Sequence, residues 1–232
     1  MLILLLKQFK ISVEKYNLCY YYFMHFDSVI LDIDGTIWNT TGIVAEAWNK
    51  AIDKLYPQVP HVTAKILQGQ FGKTMNVIAD NLFGGLSEQE KTILMEECCN
   101  QEQLALHANT TNITYDGVIS TIEKLAAKIP VFIVSNCQKG YIEVVIEKNG
   151  IQKWIKDFEC YGNNGKNKDE NIRLIIERNE LNAPVYVGDT QGDCDACKKA
   201  NIPFIWASYG FGTADSYFAK IDTFPELLAI IE

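Results

Sequence analysis

Three short apolar segments of the chain each end in side chains that can do chemistry. Asp32 and Asp34 follow the run VIL, Ser135 follows VFIV, and Asp189 follows VYVG. Such aliphatic runs are typical of strands buried on both faces, and carboxylates at their ends are costly unless a cation or hydrogen bonds compensate them. If the first strand continues, Asp32 and Asp34 point to the same side. One aspartate can simply cap the helix that follows it, but three such segments indicate a common site.

These segments lie where predicted strands and helices alternate along the chain. Strands joined by helices through short links predict a parallel sheet with right-handed crossovers. Ligands bind beyond the carboxyl ends of the strands in such sheets, so we expect the three segments to meet there. The predicted helices are VISTIEKLAAK, GYIEVVIEKNG, DENIRLIIERNE and CDACKKAN, and the predicted strands after the first are VFIVS, a short FECY, VYVGD and PFIWAS.

Residues 43 to 109 show helical periodicity with no strong strand candidate. The stretch IVAEAWNKAIDKLY stops at Pro57, KTMNVIADNLF forms a second helix, and a third runs from Ser87 to His107. Ser87 and Glu90 have the spacing of a capping box at its start. We therefore predict an α/β core over residues 24–41 and 115–232, with a helical insert over residues 42–114.

The overall charge limits the functions that the chain can have. The formal net charge of -8 argues against sequence-independent nucleic-acid binding, which needs a basic face. The apolar run at the start is about six residues, too short for a membrane span of roughly 20, and no secretory signal is evident. We expect a cytoplasmic protein without membrane attachment. One hypothesis takes Met24 as the natural start and residues 1–23 as an extension.

The seven cysteines do not predict a disulfide framework, because their number is odd and the chain is long. Cys194 and Cys197 form a CxxC pattern, which two thiols on one helical turn explain; a zinc or redox role is the alternative. Cys137 follows the second strand closely, and a redox-sensitive activity there is the alternative to a half-buried inert thiol.

Four motifs together make the chain similar to the haloacid dehalogenase superfamily. They are DxDGT from Asp32 to Thr36, the strand ending at Ser135-Asn136, a lysine before a helix, and GDxxxD from Gly188 to Asp193. The likeness is greatest to the phosphoglycolate phosphatase and β-phosphoglucomutase branch. This resemblance implies a Rossmann-like parallel sheet core with a small α-helical cap inserted after the first motif.

The resemblance also implies catalytic and phosphate-binding roles. Asp32 would attack phosphorus and form an aspartyl-phosphate, and Asp34 would act as general acid and then base. Of the two candidate lysines, Lys168 directly precedes a helix and is favoured over Lys166 for stabilising the transferring phosphoryl group. The residues expected to contact phosphate are Ile33, Thr36, Ser135 and Asn136.

The remaining implied features are a metal site and a specificity contact. Hard oxygen ligands suit Mg²⁺, and the expected metal ligands are Asp32, Asp34 through its backbone carbonyl, Asp189 and Asp193. Lys73, in the polar turn of the insert, either reaches a substrate anion or is a solvated lysine at a helix start. Asp195 is interpreted as helix surface.

The sequence favours a Mg²⁺-dependent phosphatase acting on a small phosphorylated metabolite such as phosphoglycolate or a sugar phosphate. A sugar phosphomutase and a non-catalytic binding protein on the same fold are the alternatives. The motif residues do not separate phosphatase from mutase. The oligomeric state is left open.

Overall fold

The structure is a computed structural model that describes residues 25–231. The predicted extension over residues 1–23 lies outside the described residues. In the described part, six parallel strands form one sheet: β1 Ser28–Leu31, β2 Val131–Ser135, β3 Ile155–Cys160, β4 Pro184–Gly188, β5 Phe204–Ala207 and β6 Ala219–Ile221. Their order across the sheet is β3-β2-β1-β4-β5-β6. The central strand β1 therefore lies between the two strands that end at Ser135 and Gly188, as the predicted common site requires.

Helices cover both faces of the sheet. The described helices are α1 Thr41–Leu55, α2 Ala64–Gln68, α3 Met75–Leu82, α4 Glu88–Ala108, α5 Val118–Ala126, α6 Tyr141–Asn149, α7 Tyr161–Asn164, α8 Lys168–Arg178, α9 Gln191–Ala200 and α10 Leu227–Ile231, with a 3₁₀ turn at Phe224–Glu226. Val29 and Leu31 pack with residues of α5 and α6, whereas Ile30 packs with residues of α8 and α9. Alternate residues of β1 thus bury opposite faces, and the predicted Rossmann-like α/β fold is confirmed.

Helices α1 to α4 have an apolar cluster of their own. Trp48 and Ile52 of α1 pack with Leu94 and Cys98 of α4 in this cluster. The predicted capping box is confirmed, because the Ser87 hydroxyl accepts a hydrogen bond from the Glu90 N–H while the Glu90 carboxylate accepts one from the Ser87 N–H. Domain boundaries at residues 42 and 114 stay a prediction.

The two chain segments that join this helical block to the sheet pair with each other. The Asn39 N–H donates to the Ile113 carbonyl at 2.8 Å, and the Tyr115 N–H donates to the Ile37 carbonyl at 3.1 Å. The entry to the block and its exit therefore lie side by side, next to the residues that follow β1. We refer to helices α1 to α4 as the cap.

Several short elements were not predicted. Helix α2 is only five residues long and begins where the Thr63 hydroxyl accepts a hydrogen bond from the Ile66 N–H. Strand β6 has three residues and pairs with β5 at the edge of the sheet. Strand β3 spans six residues, more than the predicted FECY. Elements this short carry little periodicity, so tertiary contacts decide them. No helix among residues 25–231 combines the length and apolar character needed to cross a membrane.

Candidate active site

The first motif is a tight turn at the carboxyl end of β1. The Asp32 N–H continues the sheet pairing by donating to the Val187 carbonyl at 2.9 Å, and the chain then folds back so that three N–H groups donate to the Ile33 carbonyl. Gly35 has a φ of 84°, and a Cβ there would lie 2.1 Å from Asp189 Oδ2. Glycine is therefore required at this position for two reasons: the positive φ and the close approach of the Asp189 carboxylate.

Three buried carboxylates meet beyond the ends of β1 and β4. Oxygen atoms of Asp32, Asp189 and Asp193 all lie within 4.8 Å of one another. Asp32 and Asp189 follow the two strands directly. Asp193 lies in the first turn of α9, where its Oδ2 accepts hydrogen bonds from the Thr190 N–H at 2.9 Å and from the Thr190 hydroxyl at 2.7 Å. The structure thus brings together the predicted side-chain metal ligands.

Lys168 supplies the positive charge beside this cluster. Its Nζ donates to Asp32 Oδ1 at 2.7 Å and to Asp193 Oδ1 at 2.5 Å, and the side chain is buried. Burial alone would lower the pKa of Lys168, but the two carboxylates outweigh that effect and raise the pKa well above its ordinary value. Lys166, the rival candidate, is exposed in the preceding loop. Of the two lysines, the structure brings Lys168 to the acidic cluster.

The charges of the cluster do not balance. If all three carboxyl groups are ionised, they and one ammonium leave two negative charges in a buried site. Burial raises the pKa of Asp32 to about 6, with Lys168 opposing the shift and Asp193 adding to it. Burial and the charges of Asp193 and Asp32 raise the pKa of Asp189 well above its ordinary value. A divalent cation among these oxygens would remove the imbalance.

The donor set fits Mg²⁺. Every candidate ligand is an oxygen, which a hard cation prefers. Asp189 Oδ2 accepts a hydrogen bond from the Phe211 N–H at 2.6 Å, while Asp189 Oδ1 is buried and has no hydrogen-bond partner among the described residues. An unpaired buried acceptor on a residue that clusters with two further carboxylates suits a metal ligand. Participation of the Asp34 backbone carbonyl stays a prediction.

Asp34 is held apart from the three clustered carboxylates. Its Oδ1 accepts hydrogen bonds from the Tyr141 hydroxyl at 2.7 Å and from the Thr40 hydroxyl at 3.0 Å. Burial raises the pKa of Asp34 to about 7; the charges of Asp32 and Glu102 add to this shift and the Tyr141 and Thr40 hydrogen bonds oppose it. A carboxyl group with a pKa near neutrality can both give and take a proton.

The predicted phosphate contacts differ in their surroundings. Ser135 and Asn136, at the end of β2, line a small cavity of about 30 Å³ together with Asp34. The side chains of Ile33 and Thr36 are fully buried and are not among the residues that line this cavity. Phosphate contact by any of the four residues stays a prediction, and for Ile33 and Thr36 it would fall to their backbone groups.

The cap closes this cavity from the other side. Lys73 lies at its edge in an exposed position, where Lys73 Nζ donates to the Gly69 carbonyl at 2.9 Å and to Gln70 Oε1 at 3.1 Å. The Asn136 amide donates to the Gly72 carbonyl at 2.8 Å and so joins the core to the cap. The role of Lys73 toward substrate stays a prediction.

Sequence reasoning missed several residues that line the cavity. They are Trp48 and Glu102 from the cap and Gln138 and Tyr141 from the core. One signal was available for Glu102. Cys98, Glu102 and Leu106 lie four residues apart on α4 and are all buried, so a charged residue interrupts an apolar helical stripe.

The cysteine hypotheses find little support in the local environment. Burial raises the pKa of Cys137 well above its ordinary value, which disfavours the thiolate that redox chemistry needs. Cys194 and Cys197 lie on one turn of α9, and the acidic cluster of Asp32, Asp189 and Asp193 is the candidate metal group found among residues 25–231. Asp195 is exposed on the same helix, as predicted.

A parallel sheet with acidic strand ends and a helical cap over them is typical of a Rossmann-like enzyme whose ligand binds between the sheet edge and the cap. The sequence-family model of the haloacid dehalogenase-like hydrolases matches residues 29–207, and the chain belongs to that family.

Relatives with names and structures agree with this assignment. The chain is 24% identical over 226 residues to a phosphoglycolate phosphatase of Photobacterium profundum, covering 88% of this chain and 95% of that relative. The crystal structure of a predicted phosphoglycolate phosphatase from Haemophilus somnus superposes with a TM-score of 0.77 at 19% identity, covering 89% of this chain and 98% of that one. A haloacid dehalogenase-like hydrolase from Streptococcus pneumoniae has a TM-score of 0.77 at 16% identity, covering 89% and 99%. At these identities the structural likeness establishes the fold.

Proposed function

We propose that the protein is a Mg²⁺-dependent phosphatase that hydrolyses a small phosphomonoester through an aspartyl-phosphate. The observation that carries the proposal is the position of Asp32, whose Oδ1 lies 2.7 Å from Lys168 Nζ beside two further carboxylates. A nucleophile needs such compensation, because its own charge and that of the phosphate repel each other. Bound among Asp32, Asp189 and Asp193, the cation would neutralise charge on the phosphoryl group.

The chain's own residues would carry the two half-reactions. A carboxylate oxygen of Asp32 forms a bond to phosphorus while the bond to the leaving oxygen breaks, and Asp34 gives that oxygen its proton. Asp34, now ionised, takes a proton from water as the water oxygen attacks phosphorus. The bond from phosphorus to Asp32 then breaks, which releases phosphate and regenerates both carboxyl groups.

Two hydrogen bonds to Asp34 support its role. The hydroxyls of Tyr141 and Thr40 fix the orientation of its carboxyl group toward the cavity. Lys168 would meanwhile hold Asp32 in place and stabilise charge on the transferring group. The described cysteines are all free thiols, which suits a reducing compartment, and we propose the cytoplasm.

Phosphate release from a panel of phosphorylated metabolites tests this function. Release should require Mg²⁺, stop with EDTA, and fall by at least about 10³-fold in Asp32→Asn and by about 10²- to 10⁴-fold in Asp34→Asn. Asp195→Asn is the matched control, because this exposed carboxylate of α9 lies outside the site, and it should keep full activity. Equal activity of Asp32→Asn and Asp195→Asn would refute the proposal. Conversion of β-glucose 1-phosphate to the 6-phosphate without phosphate release would indicate the mutase alternative.

A further inference from the structure

The cavity beside Asp34 has a chemical character that bears on the choice of substrate. If Asp34 protonates the leaving oxygen, the rest of the leaving group occupies the space between Asp34 and the cap. That space is small, about 30 Å³, and is bounded on the cap side by Trp48, Phe71 and Glu102. The inference below rests on the proposed function and extends it to the class of leaving group.

Glu102 places a buried carboxylate on this boundary. Its Oε2 accepts a hydrogen bond from the Trp48 indole N–H at 2.8 Å, and its Oε1 accepts one from the Gln138 amide at 2.7 Å. Each oxygen keeps a further lone pair for another donor. The carboxylate is close enough to Asp34 for its charge to raise the pKa of Asp34. A ligand in the cavity therefore meets acidic groups on both sides.

Asn136 adds a third acceptor to the same cavity. Its Nδ2 donates to the Gly72 carbonyl at 2.8 Å, which fixes the orientation of the amide because a carbonyl accepts only from a donor. Asn136 Oδ1 is consequently an acceptor; it is buried and has no hydrogen-bond partner among the described residues. A buried acceptor without a partner favours a ligand that brings a donor.

Positive charge is scarce around the cavity. Lys73 is the one cation among the described residues that line it, and its Nζ is engaged at the exposed rim by the Gly69 carbonyl and Gln70 Oε1. Lys168 is already paired with Asp32 and Asp193. A leaving group with a carboxylate would thus be placed opposite Glu102 without a dedicated counter-charge.

We propose that Glu102 is a specificity-determining residue that selects phosphomonoesters whose leaving group carries a hydrogen-bond donor, a hydroxyl or an amine, over those whose leaving group carries a carboxylate. Glu102 and Asn136 Oδ1 accept from the donor, while like charge keeps a carboxylate out. Phosphoglycolate, the substrate in the names of several relatives, belongs to the disfavoured class.

Three phosphomonoesters of nearly equal size test the proposal. In 2-hydroxyethyl phosphate, phosphoethanolamine and phosphoglycolate the same two-carbon leaving group ends in a hydroxyl, an amine or a carboxylate. We would measure kcat/KM for each with Mg²⁺ at pH 8, which is above the value of about 7 to which burial raises the pKa of Glu102. The wild type should prefer a donor substrate over phosphoglycolate by at least about tenfold. A preference for phosphoglycolate, or no preference, would overturn the inference.

Variants separate selectivity from a structural role. In Glu102→Gln, kcat/KM for the hydroxyl and amine substrates should come within about threefold of kcat/KM for phosphoglycolate, chiefly because kcat/KM for phosphoglycolate rises. Gln138→Ala removes the same hydrogen bond between cap and core but keeps the carboxylate, and it should preserve the preference of the wild type. If Glu102→Gln slows all three substrates equally, Glu102 is structural and the proposal is wrong. If a variant does not fold, the preference of the wild type among the three substrates still tests the proposal.

Ethyl phosphate distinguishes failure of the inference from failure of the proposed function. Its leaving group ends in a methyl group, with neither a donor nor a carboxylate for Glu102 to meet, so its hydrolysis reports on Asp32 and Asp34. Turnover of ethyl phosphate with no preference among the other three esters refutes the role of Glu102 only. No turnover of any of the four refutes the phosphatase, and the inference falls with it.

Discussion

Gly210 gives a sharp test of how the candidate metal site is built. It lies in the loop after β5, and a Cβ at this position would lie 2.3 Å from the Asp189 Cβ and 2.5 Å from both Asp189 Oδ2 and the Gly35 carbonyl oxygen. Ordinary contacts of a Cβ begin at 3.4 Å. In Gly210→Ala, either the Asp189 carboxylate or the loop must therefore move by about 1 Å.

The magnitude follows from that displacement. A misplacement of about 1 Å in a catalytic group can cost about 10²-fold in rate, and overpacking of this kind costs about 1–3 kcal/mol in the free energy of unfolding. The Phe211 N–H that donates to Asp189 at 2.6 Å moves with the same loop. We expect Gly210→Ala to fold, to lose about 10²-fold in kcat/KM, and to need more Mg²⁺ for half-maximal activity.

The assay is Mg²⁺-dependent phosphate release, run beside thermal melts with and without Mg²⁺. Gly42→Ala is the matched control, because Gly42 lies in helix α1 and a Cβ there meets nothing within 4 Å. That variant should keep wild-type activity. A folded Gly210→Ala with wild-type kcat/KM and an unchanged Mg²⁺ requirement would refute the reasoning that Asp189 must lie where the structure places it.

Three further predictions concern the buried charges. Lys168→Met leaves the carboxylates of Asp32 and Asp193 without their partner, so it should lower the free energy of unfolding by about 3–5 kcal/mol at pH 7. Because Lys168 opposes the rise that burial causes in the pKa of Asp32, its loss should raise that pKa further, and urea denaturation at pH 5 should show a smaller loss of stability; equal losses at the two pH values would contradict this. Asp189→Asn should raise Tm, because it removes a carboxylate whose pKa burial already raises. It should also abolish the gain of about 2.7 kcal/mol in the free energy of unfolding that we expect of the wild type at a 100-fold excess of Mg²⁺ over its Kd; a Mg²⁺ response that survives would rule out Asp189 as a ligand. Burial raises the pKa of Glu102 from 4.5 to about 7. The folded state therefore holds a proton that the unfolded state loses, and stability falls as pH rises through this window. Glu102→Gln should be more stable than the wild type at pH 8, by up to about 3 kcal/mol in the free energy of unfolding, and equally stable at pH 5; an equal difference at both pH values would argue against this charge.

The core half of the candidate site was predictable because its residues follow strands directly. Asp32, Ser135 and Asp189 each come within one residue of a buried strand end or form it, and parallel strands bring their carboxyl ends to one edge. The choice of Lys168 rested on the family resemblance and on its position directly before a predicted helix. In the structure Lys168 Nζ donates to Asp32, whereas Lys166 stays exposed in the loop.

Gly210 and the hydrogen bond from Phe211 to Asp189 could not be predicted in the same way. They depend on how the loop after β5 crosses the end of β4, and no pattern in residues 208 to 212 encodes that crossing. The same holds for Asn136 and Gly72, which are 64 residues apart and meet through one hydrogen bond. Contacts of this kind come from tertiary packing, which overrides local preference.

Selectivity is harder to predict than chemistry for a physical reason that Glu102 illustrates. The groups that we propose for the phosphoryl transfer lie at the ends of the strands, whose geometry is set by strand order, so their identity nearly determines their position. The groups that meet the leaving group belong to the cap, and their position depends on the rotation of α4 against α1 and on the paired segments that join the cap to the sheet. Rotating α4 by one residue, about 100°, would remove Glu102 from the cavity without altering any motif. Two chains with identical catalytic motifs can therefore differ in substrate. The name of a relative at 24% identity does not determine the substrate of this protein, which we expect to depend on the buried carboxylate of Glu102 in the cap.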